Sequence, residues 1–597
     1  MTNEPMNVVR AQEEKASNKI PAVGIDFGTT NSCVSIVNEG VKANVIPVDG
    51  RQTLPSVAAW MGGSRNNWIV GMEAYEQKYN TDFVVYSPKS KIGEDYTYKL
   101  TAPNGDKAEF TAEEVASQIM RRLMTEVNKD YKEVTEAVIS VPADFSNKKI
   151  IATQEAAKLA GIKCIGIIKE PTAAALSSLV GYEKECIVLV FDFGGGTFDV
   201  SVVRVKPGTK YSKRFIDLCK NVYDYEIDEK SSSDTVIDVI AQGGDIRLGG
   251  DDLDIALTDL ILQEVGVKPE ELTIKCYEEM KLFTEGLKKR EFKGSFNKTL
   301  VFKNGDEKEY GMYFNYGMLK KGTEIFYSRC KEIVDSVLAQ PAMLGIDIDK
   351  ILLVGGSTKN RYIKEFLSRD YNLPVDNNIN PDEAVSLGAS VVAKIRKFGD
   401  LGTSLFDITS AAIGVEADGE VDVILKRGTR IPSSYVKRYF LEDVGNGNLV
   451  LDIYEGNFKD PKKCSLLSSF SMQLDINEVK KGTEVLISMR VTTDALLEVE
   501  VTVNGKTAKK EYSLDTKKAK KSIYDTMRDK VKSSVIESEQ NRLLEMISKA
   551  ESGDKKILAQ VGRLIKKYST ENKRKSRDYT IEEVSFDESI YKNKDEE

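Results

Sequence analysis

From Pro21 to about Phe398, short apolar runs alternate with longer stretches of helical period. "EAVISVPA" is followed by "KKIIATQEAAKLAG", then "IGIIKEPTAAALSSLV", then "CIVLVFDFGGG". That alternation predicts an α/β architecture, with extended sheets and helices packed outside them, over 21–398. Two glycines and several polar residues in "KFGDLGTSLFDITS" break the rhythm, and 399–408 reads as a linker. "EVDVILKRG", "GNLVLDIYEG" and "TEVLISMRVTTDALLEVEVTVNGK" then predict a compact β-domain over 409–512, dense in β-formers and punctuated by Gly, Asn and Asp. In 513–576, Ile523, Met527, Val531 and Val535 stand four apart, one apolar stripe on a charged helix. The polar segment 1–20 and the acidic segment 577–597 are expected to be disordered tails. One stretch reads as inserted: about thirty polar residues, 206–235, separate "DVSVVRV" from "VIDVIAQGGDIRLGG", where a hairpin needs only a few.

Composition narrows the chemistry. A chain of 597 residues is too long for one core, so several domains are expected. The net charge of -8 is spread along the chain, which argues for solubility and against a nucleic-acid surface. No run approaches the roughly 18 apolar residues of a membrane span, and the first twenty residues resemble no targeting signal. A cytoplasmic monomer is expected. Seven scattered cysteines without a CxxC pair suggest free thiols in a reducing compartment. Histidine is absent, which excludes Ser–His–Asp and Cys–His catalysis and imidazole-rich zinc sites. Catalysis here must use carboxylates, lysine, hydroxyls and backbone amides.

The chain writes one phrase twice. "GIDFGTTNSCVSIV" (24–37) aligns without a gap on the "FDFGGGTFDVSVV" stretch, Asp26 with Asp192, Phe27 with Phe193, Gly28 with Gly194 and Ser35 with Ser201. Each copy reads as strand, small-residue turn, strand. Such a turn lets backbone N–H groups face an anion at close range. The two cradles are Gly28-Thr29-Thr30-Asn31 and Gly194-Gly195-Gly196-Thr197, suited to grip a polyphosphate from opposite sides. A phosphate chain brings Mg²⁺, a hard ion that takes oxygen ligands, and Asp26, Asp192 and Asp199 are candidates to hold it, partly through water. The second copy carries Asp199 where the first carries Cys33, which marks the side for metal and attacking water. A P-loop is excluded: the one GKT, Gly505-Lys506-Thr507, has Glu500 where the leading glycine belongs, and reads as a hairpin turn. Two more glycine clusters are "ILLVGGSTKN" (351–360) and "IRLGGDDLD" (246–254), and "NPDEAVSLGAS" places Asp382 at a helix start.

Together with "VPADFSN" and "EPTAAAL", these motifs resemble the heat-shock protein 70 chaperones of the DnaK type. The resemblance is specific from Val23 to about Lys397 and weaker to Leu514; the nucleotide half alone would also suit actin and sugar kinases. It implies an actin-like ATPase domain of two RNase-H-like lobes, a β-sandwich for peptides and a helical lid. The implied function is ATP-dependent binding of extended apolar segments of unfolded client polypeptides, with ATP/ADP, Mg²⁺ and K⁺ as cofactors. A J-domain cochaperone and a nucleotide exchange factor are the implied partners; the rival is a nucleotide-gated scaffold with weak ATPase. By position, Lys89 in "PKSKIG" contacts the γ-phosphate and the nucleophilic water, and Glu170 lies next to that water. With Thr197 and Asp199 they form the implied catalytic set. Gly249 and Gly250 approach the sugar, and Glu285, Lys288 and Lys289 face base and ribose, with Gly355, Gly356, Ser357, Lys359 and Asp382 opposite.

The same resemblance locates the departures. The proline switch Pro142 and the linker acid Asp407 are kept, but Ile150 stands where the family relays its nucleotide state through arginine. Gly166 and Lys169 replace an arginine and an asparagine at the J-domain dock. Lys359 and Lys289 stand where arginines often stack on adenine, and Phe292 where a serine follows; lysine lacks the planar stacking surface. Val415, Tyr439, Phe440, Leu449 and Leu451 are the implied peptide contacts, with Asp418 at an arch that is usually apolar.

Overall fold

The repeated phrase folds twice into one hairpin. In the computed structural model, Ala22–Asp26 pairs antiparallel with Asn31–Val37, and Cys186–Phe193 pairs antiparallel with Phe198–Thr209. The structure describes residues 20–38, 43–77, 82–131, 133–179, 184–209, 234–245, 247–376, 380–398, 403–442, 447–475, 477–492 and 496–511, with Leu543 and Met546. Asp26 stands opposite Cys33 and Asp192 opposite Asp199, so the alignment of the two phrases is also a structural register. Each hairpin then extends in the same way. Ala22–Asp26 runs parallel to Glu136–Val141, which runs parallel to Lys163–Lys169. Cys186–Phe193 runs parallel to Lys350–Val354, which runs parallel to Val375–Asp376.

These strands belong to a six-stranded and a seven-stranded sheet. Their continuous apolar runs are buried on both faces, as parallel strands covered by helices require. Helix Ala384–Phe398 packs so closely on the first sheet and on helix Glu170–Leu179 that two positions exclude any side chain. A Cβ on Gly24 would come within 2.1 Å of the Ser390 nitrogen, and one on Gly388 within 1.8 Å of the Ala173 oxygen. Local chemistry starts the outer helices where polar residues precede the apolar stripe. Thr111 and Glu114 form a reciprocal capping box before Ala112–Asp130, and Ser146 caps Asn147–Leu159.

The segment expected to be a linker is a strand over its last six residues. Thr403–Ile408 runs parallel to Asp234–Asp245 and pairs on its other edge with Arg430–Ile431. Residues 399–402 lie outside the described residues. The reason is the open edge of Asp234–Asp245, whose N–H and C=O groups need partners. Phe406 and Ile408 bury their side chains there. The excursion at 206–235 joins two neighbouring antiparallel strands, paired out to Thr209 opposite Asp234; 210–233 lie outside the described residues.

Two compact units divide the chain. The first closes at Ser410 and includes Gly428–Pro432; the second takes Ala411–Arg427, Ser433–Thr492 and the chain from Leu496. The β-formers of the second unit build two antiparallel four-stranded sheets. Glu484–Val491 and Leu497–Val503 alternate buried and half-buried positions, the period of a sheet covered on one face. Asn504 and Gly505, with φ of 47° and 76°, make the tight turn expected at "NGKT". The expected helical lid and both tails lie outside the described residues, apart from Leu543 and Met546, which are helical.

Candidate active site

The two glycine-threonine loops meet across one cavity of about 520 Å³. A Cβ on Gly195 would fall 1.7 Å from Thr30 Oγ1, so the second loop touches the first only because it has no side chain there. The loops are held from behind. Ser56 donates its hydroxyl to the Gly28 carbonyl at 2.7 Å and its backbone N–H to that of Thr30 at 2.8 Å. On the other side Gly250 N–H and Ser357 Oγ donate to the Gly194 carbonyl, at 3.0 and 2.9 Å, and Asp251 N–H donates to that of Gly195 at 2.8 Å. With these carbonyls drawn outward, the planar peptide turns each following N–H the opposite way, the arrangement of an anion cradle.

The predicted site residues converge. Asp26, Gly28, Thr29, Thr30, Asn31, Lys89, Glu170, Asp192, Gly194, Gly195 and Thr197 line the cavity. So do Gly250, Glu285, Lys288, Lys289, Gly355, Gly356, Ser357, Lys359 and Asp382. Gly196, Gly249 and Asp199 are not lining residues. Gly249 is a packing glycine, whose Cβ would lie 2.3 Å from the Gly195 oxygen, and Gly196 lies against the Thr29 methyl. Asp199 is buried behind the loop, where a Cβ on Gly244 would meet both its Oδ1 and Asp144 Oδ2. Ser56, Thr53, Asp251, Asp254, Glu291 and Asn360 were missed. Ser56 and Thr53 lie outside the glycine motifs, on a separate segment that brings Thr53 to the cavity and Ser56 behind the first loop; the acids of "GGDDLD" held the signal for Asp251 and Asp254.

Charge is concentrated here. Lys89 Nζ reaches Glu170 Oε1 at 2.5 Å, with both side chains nearly inaccessible. Burial, reinforced by the Glu170 charge, raises Asp26 to about 7 against the pull of Lys89 and of the Ser140 hydroxyl, which donates at 2.8 Å. Burial also lifts Asp192 well above the carboxylate range, with Glu170 adding to it, and Asp199 likewise, with Asp144 and then Glu170 adding. Such crowded carboxylates with one nearby ammonium suit an added cation. Among the described residues no group of three or more Cys, Asp or Glu side chains is placed to ligate a metal directly. The set therefore fits an ion held mainly through water and phosphate oxygens. Thr30 Oγ1, buried without a hydrogen-bond partner, is a further polar atom left for a ligand in the cleft.

The exchange of Cys33 for Asp199 has a packing cause. Cys33 Sγ donates to the Gln52 carbonyl at 3.2 Å and accepts from Ser386 at 3.1 Å, under helix Ala384–Phe398. Burial pushes its thiol up to about 12. Among the described residues, the charges acting on Cys33 are those of the acids Asp26, Glu383 and Asp382, which would oppose a further acid there. The other lysines that line the cavity are paired: Lys289 with Glu285, Lys359 with Asp382 at 2.5 Å, and Lys288 with Asp254 at 2.6 Å. Phe292 does not line the cavity; it packs towards Phe296.

The family model for Hsp70 protein matches residues 22–213 and 214–596. The chain belongs to the Hsp70 family. Its relatives named Chaperone protein dnaK cover most of it. That of Cyanophora paradoxa is 28% identical over 582 residues, 92% of this chain and 88% of the relative. That of Thalassiosira pseudonana is 27% identical over 567 residues, 89% and 88%. That of Guillardia theta is 28% identical over 524 residues, 82% and 78%. This Hsp70 is a chaperone, and its family binds ATP or ADP with Mg²⁺, hydrolyses ATP and engages unfolded polypeptides and cochaperones. Among its described residues no helix is long and apolar enough to cross a membrane.

Two groups expected from the Hsp70 resemblance stand apart from the cleft. Pro142 closes a turn, its carbonyl accepting from Phe145 N–H at 3.2 Å, and Asp407 lies 3.0 Å from Lys169. In the second unit Val415, Tyr439, Leu449 and Leu451 are buried, and Tyr439 donates its hydroxyl to Asp422 at 2.7 Å. These are four of the five positions that the resemblance implies as peptide contacts. Alternation turns these side chains inward and leaves Val450, between two of them, 49% exposed. Phe440 is half-buried.

Proposed function

We propose that this chain hydrolyses ATP in the cleft between its two phosphate loops and uses the cycle to bind and release extended apolar peptides. The observation that carries the reading is the buried Lys89–Glu170 pair facing both loops. The backbone of Gly28–Asn31 and Gly194–Thr197 holds the phosphates by N–H donation. Lys89 supplies positive charge to the transferred phosphoryl group as negative charge spreads over its oxygens. Glu170 and Asp199 orient the attacking water, and the Thr197 hydroxyl bonds to it. Asp26, Asp192 and Asp199 would hold Mg²⁺, partly through water, and the ion would supply positive charge at the phosphate oxygens. Water attacks the γ-phosphorus, the bond to the β-phosphate oxygen breaks, and ADP and inorganic phosphate leave; K⁺ is a further ion of this reading. Glu285, Lys288 and Lys289 on one side, and Gly355, Gly356, Ser357 and Lys359 on the other, hold the adenosine.

The reading includes client peptides at the second unit, a J-domain partner and an exchange factor. Ile150 is buried and uncharged, and Gly166 offers no side chain, so a conventional J-domain stimulates weakly. Steady-state ATPase of the full chain, with and without Mg²⁺, a panel of extended peptides and a J-domain protein, tests all of it. Mg²⁺-dependent hydrolysis that rises with peptide is expected, and Lys89→Met lowers it by about 100-fold or more. Hydrolysis indifferent to Lys89 overturns the assignment. Tight ATP binding without turnover favours the scaffold.

A further inference from the structure

Helix Ile274–Lys289 ends in a closed turn. Glu291 N–H donates to the Lys288 carbonyl at 3.1 Å and Phe292 N–H to that of Leu287 at 3.0 Å, which satisfies two of the last carbonyls of the helix. Such a turn needs a left-handed residue, and glycine is the usual one because it has no Cβ. Here Glu291 takes the position, at φ 46°. A disfavoured conformation persists where the surroundings over-determine it, and the Glu291 side chain shows what does so. Arg361 Nε donates to Glu291 Oε1 at 3.0 Å and its Nη2 donates to Oε2, a forked pairing that holds a carboxylate in one orientation.

Arg361 is itself fixed. It opens helix Arg361–Tyr371 behind Asn360, whose side chain accepts from Tyr362 N–H at 3.1 Å and donates to Thr323 at 2.7 Å. Its guanidinium lies 4.9 Å over the Tyr316 ring. The pair joins two segments that both line the cavity: Lys288, Lys289 and Glu291 at the end of one helix, Lys359 and Asn360 at the start of the other. It stands at the rim, with the Glu291 side chain 36% and that of Arg361 50% exposed. The two helices pack on one core, through Met280 and Leu287 and through Ile363 and Phe366. That packing holds them whether or not the pair forms. By contrast, Lys289 and Glu285 pair within one helix and bridge nothing.

We propose that Arg361 is a positioning residue: it holds Glu291 across the rim of the cavity, and the bridge slows the departure of the bound nucleoside diphosphate. The inference rests on the reading that these two segments hold the adenosine. While the bridge is closed, a nucleoside between the two helix ends is retained. When it opens, its hydrogen bonds go to water and the way outward is clear. Neither residue stands at the phosphates, so the chemical step is left as it is.

The test uses the full chain with Mg²⁺ and reads three quantities. These are release of tritium-labelled ADP chased by excess unlabelled ADP, single-turnover ATP hydrolysis, and melting temperature. R361M is expected to speed release about three- to fivefold, the upper range of an ion pair at a surface, and to leave hydrolysis within about twofold. R361K keeps the charge without the fork and restores only part of the retention. The charge swap E291R/R361E slows release again. E291G separates retention from folding. Glycine suits the left-handed turn, so the melting temperature should not fall, while release should be as fast as in R361M. Unchanged release in R361M overturns the proposal, as does a swap that releases no more slowly than the single variants. Faster release that comes only with a lowered melting temperature overturns it too, and assigns the pair a merely structural role. Should R361M fail to fold, E291G carries the same three readouts. If the unaltered chain binds no ADP, the nucleotide reading falls and this proposal with it; ADP bound, but released at one rate by every variant, overturns the proposal alone.

Discussion

Lys89 and Glu170 are each costly to bury alone, and they are stable in the cleft because each answers the other's charge. Lys89→Met leaves Glu170 buried and unpaired, so the nucleotide-free protein should lose about 3–5 kcal/mol, read by denaturant unfolding. The two aligned positions make a paired test. Cys33→Asp places an acid between Ser386 and the Gln52 carbonyl, where the charges of Asp26, Glu383 and Asp382 oppose it. It should destabilise by several kcal/mol, about as much as other unpaired buried charges. Asp199→Cys should instead abolish hydrolysis and leave the melting temperature little lowered; equal effects on folding from both changes would contradict the assignment. Asp26 supplies a pH test. Its folded value of about 7 lies above its ordinary 3.8, so the folded protein keeps a proton that the unfolded chain has released. The contribution is fully present below pH 3.8 and is lost as pH rises through about 7. Melting temperature without nucleotide should fall across that window, and Asp26→Asn should flatten the slope.

At the scale of elements, the hairpins and the parallel strands follow from runs that a reader can see: "AVGID", "EAVISV" and "CIVLVFDF" are apolar over the length of a strand. Close packing of helix Ala384–Phe398 is carried by single glycines. Gly24→Ala and Gly388→Ala should each destabilise by about 1–3 kcal/mol, since the neighbouring atoms are backbone and cannot turn away. A change below about 0.5 kcal/mol in thermal or denaturant melts would show that the helix can shift. "TSLFDI", the end of the stretch read as a linker, gives no strand signal of its own because its pattern is short and preceded by two glycines. Its strand identity comes from an open sheet edge more than 150 residues earlier in the chain, a non-local cause.

At the scale of the whole molecule, two units with separate sheets should unfold as two calorimetric transitions. Mg²⁺-ADP at about 100 times its Kd should stabilise the first by about 2.7 kcal/mol, and a bound apolar peptide should raise only the second. One transition raised equally by both ligands would refute this independence. The boundary is not a single point in the sequence, because Gly428–Pro432 returns to the first unit through pairing with Asp407 and Ile408.

The sequence by itself determined the duplicated hairpin and most of the motif residues that line one cavity, since spacing and residue type are local properties of the chain. It also marked Cys33 against Asp199 as the asymmetric position. Only the tertiary structure decided why the asymmetry exists: one position lies under a helix and the other beside Asp144 and the cleft acids. Only the tertiary structure brought Ser56 behind the first loop, turned Val415, Tyr439, Leu449 and Leu451 inward, and set Arg361 against Glu291. Those facts depend on which distant backbone atoms come within hydrogen-bonding distance, and no periodicity along one chain encodes that.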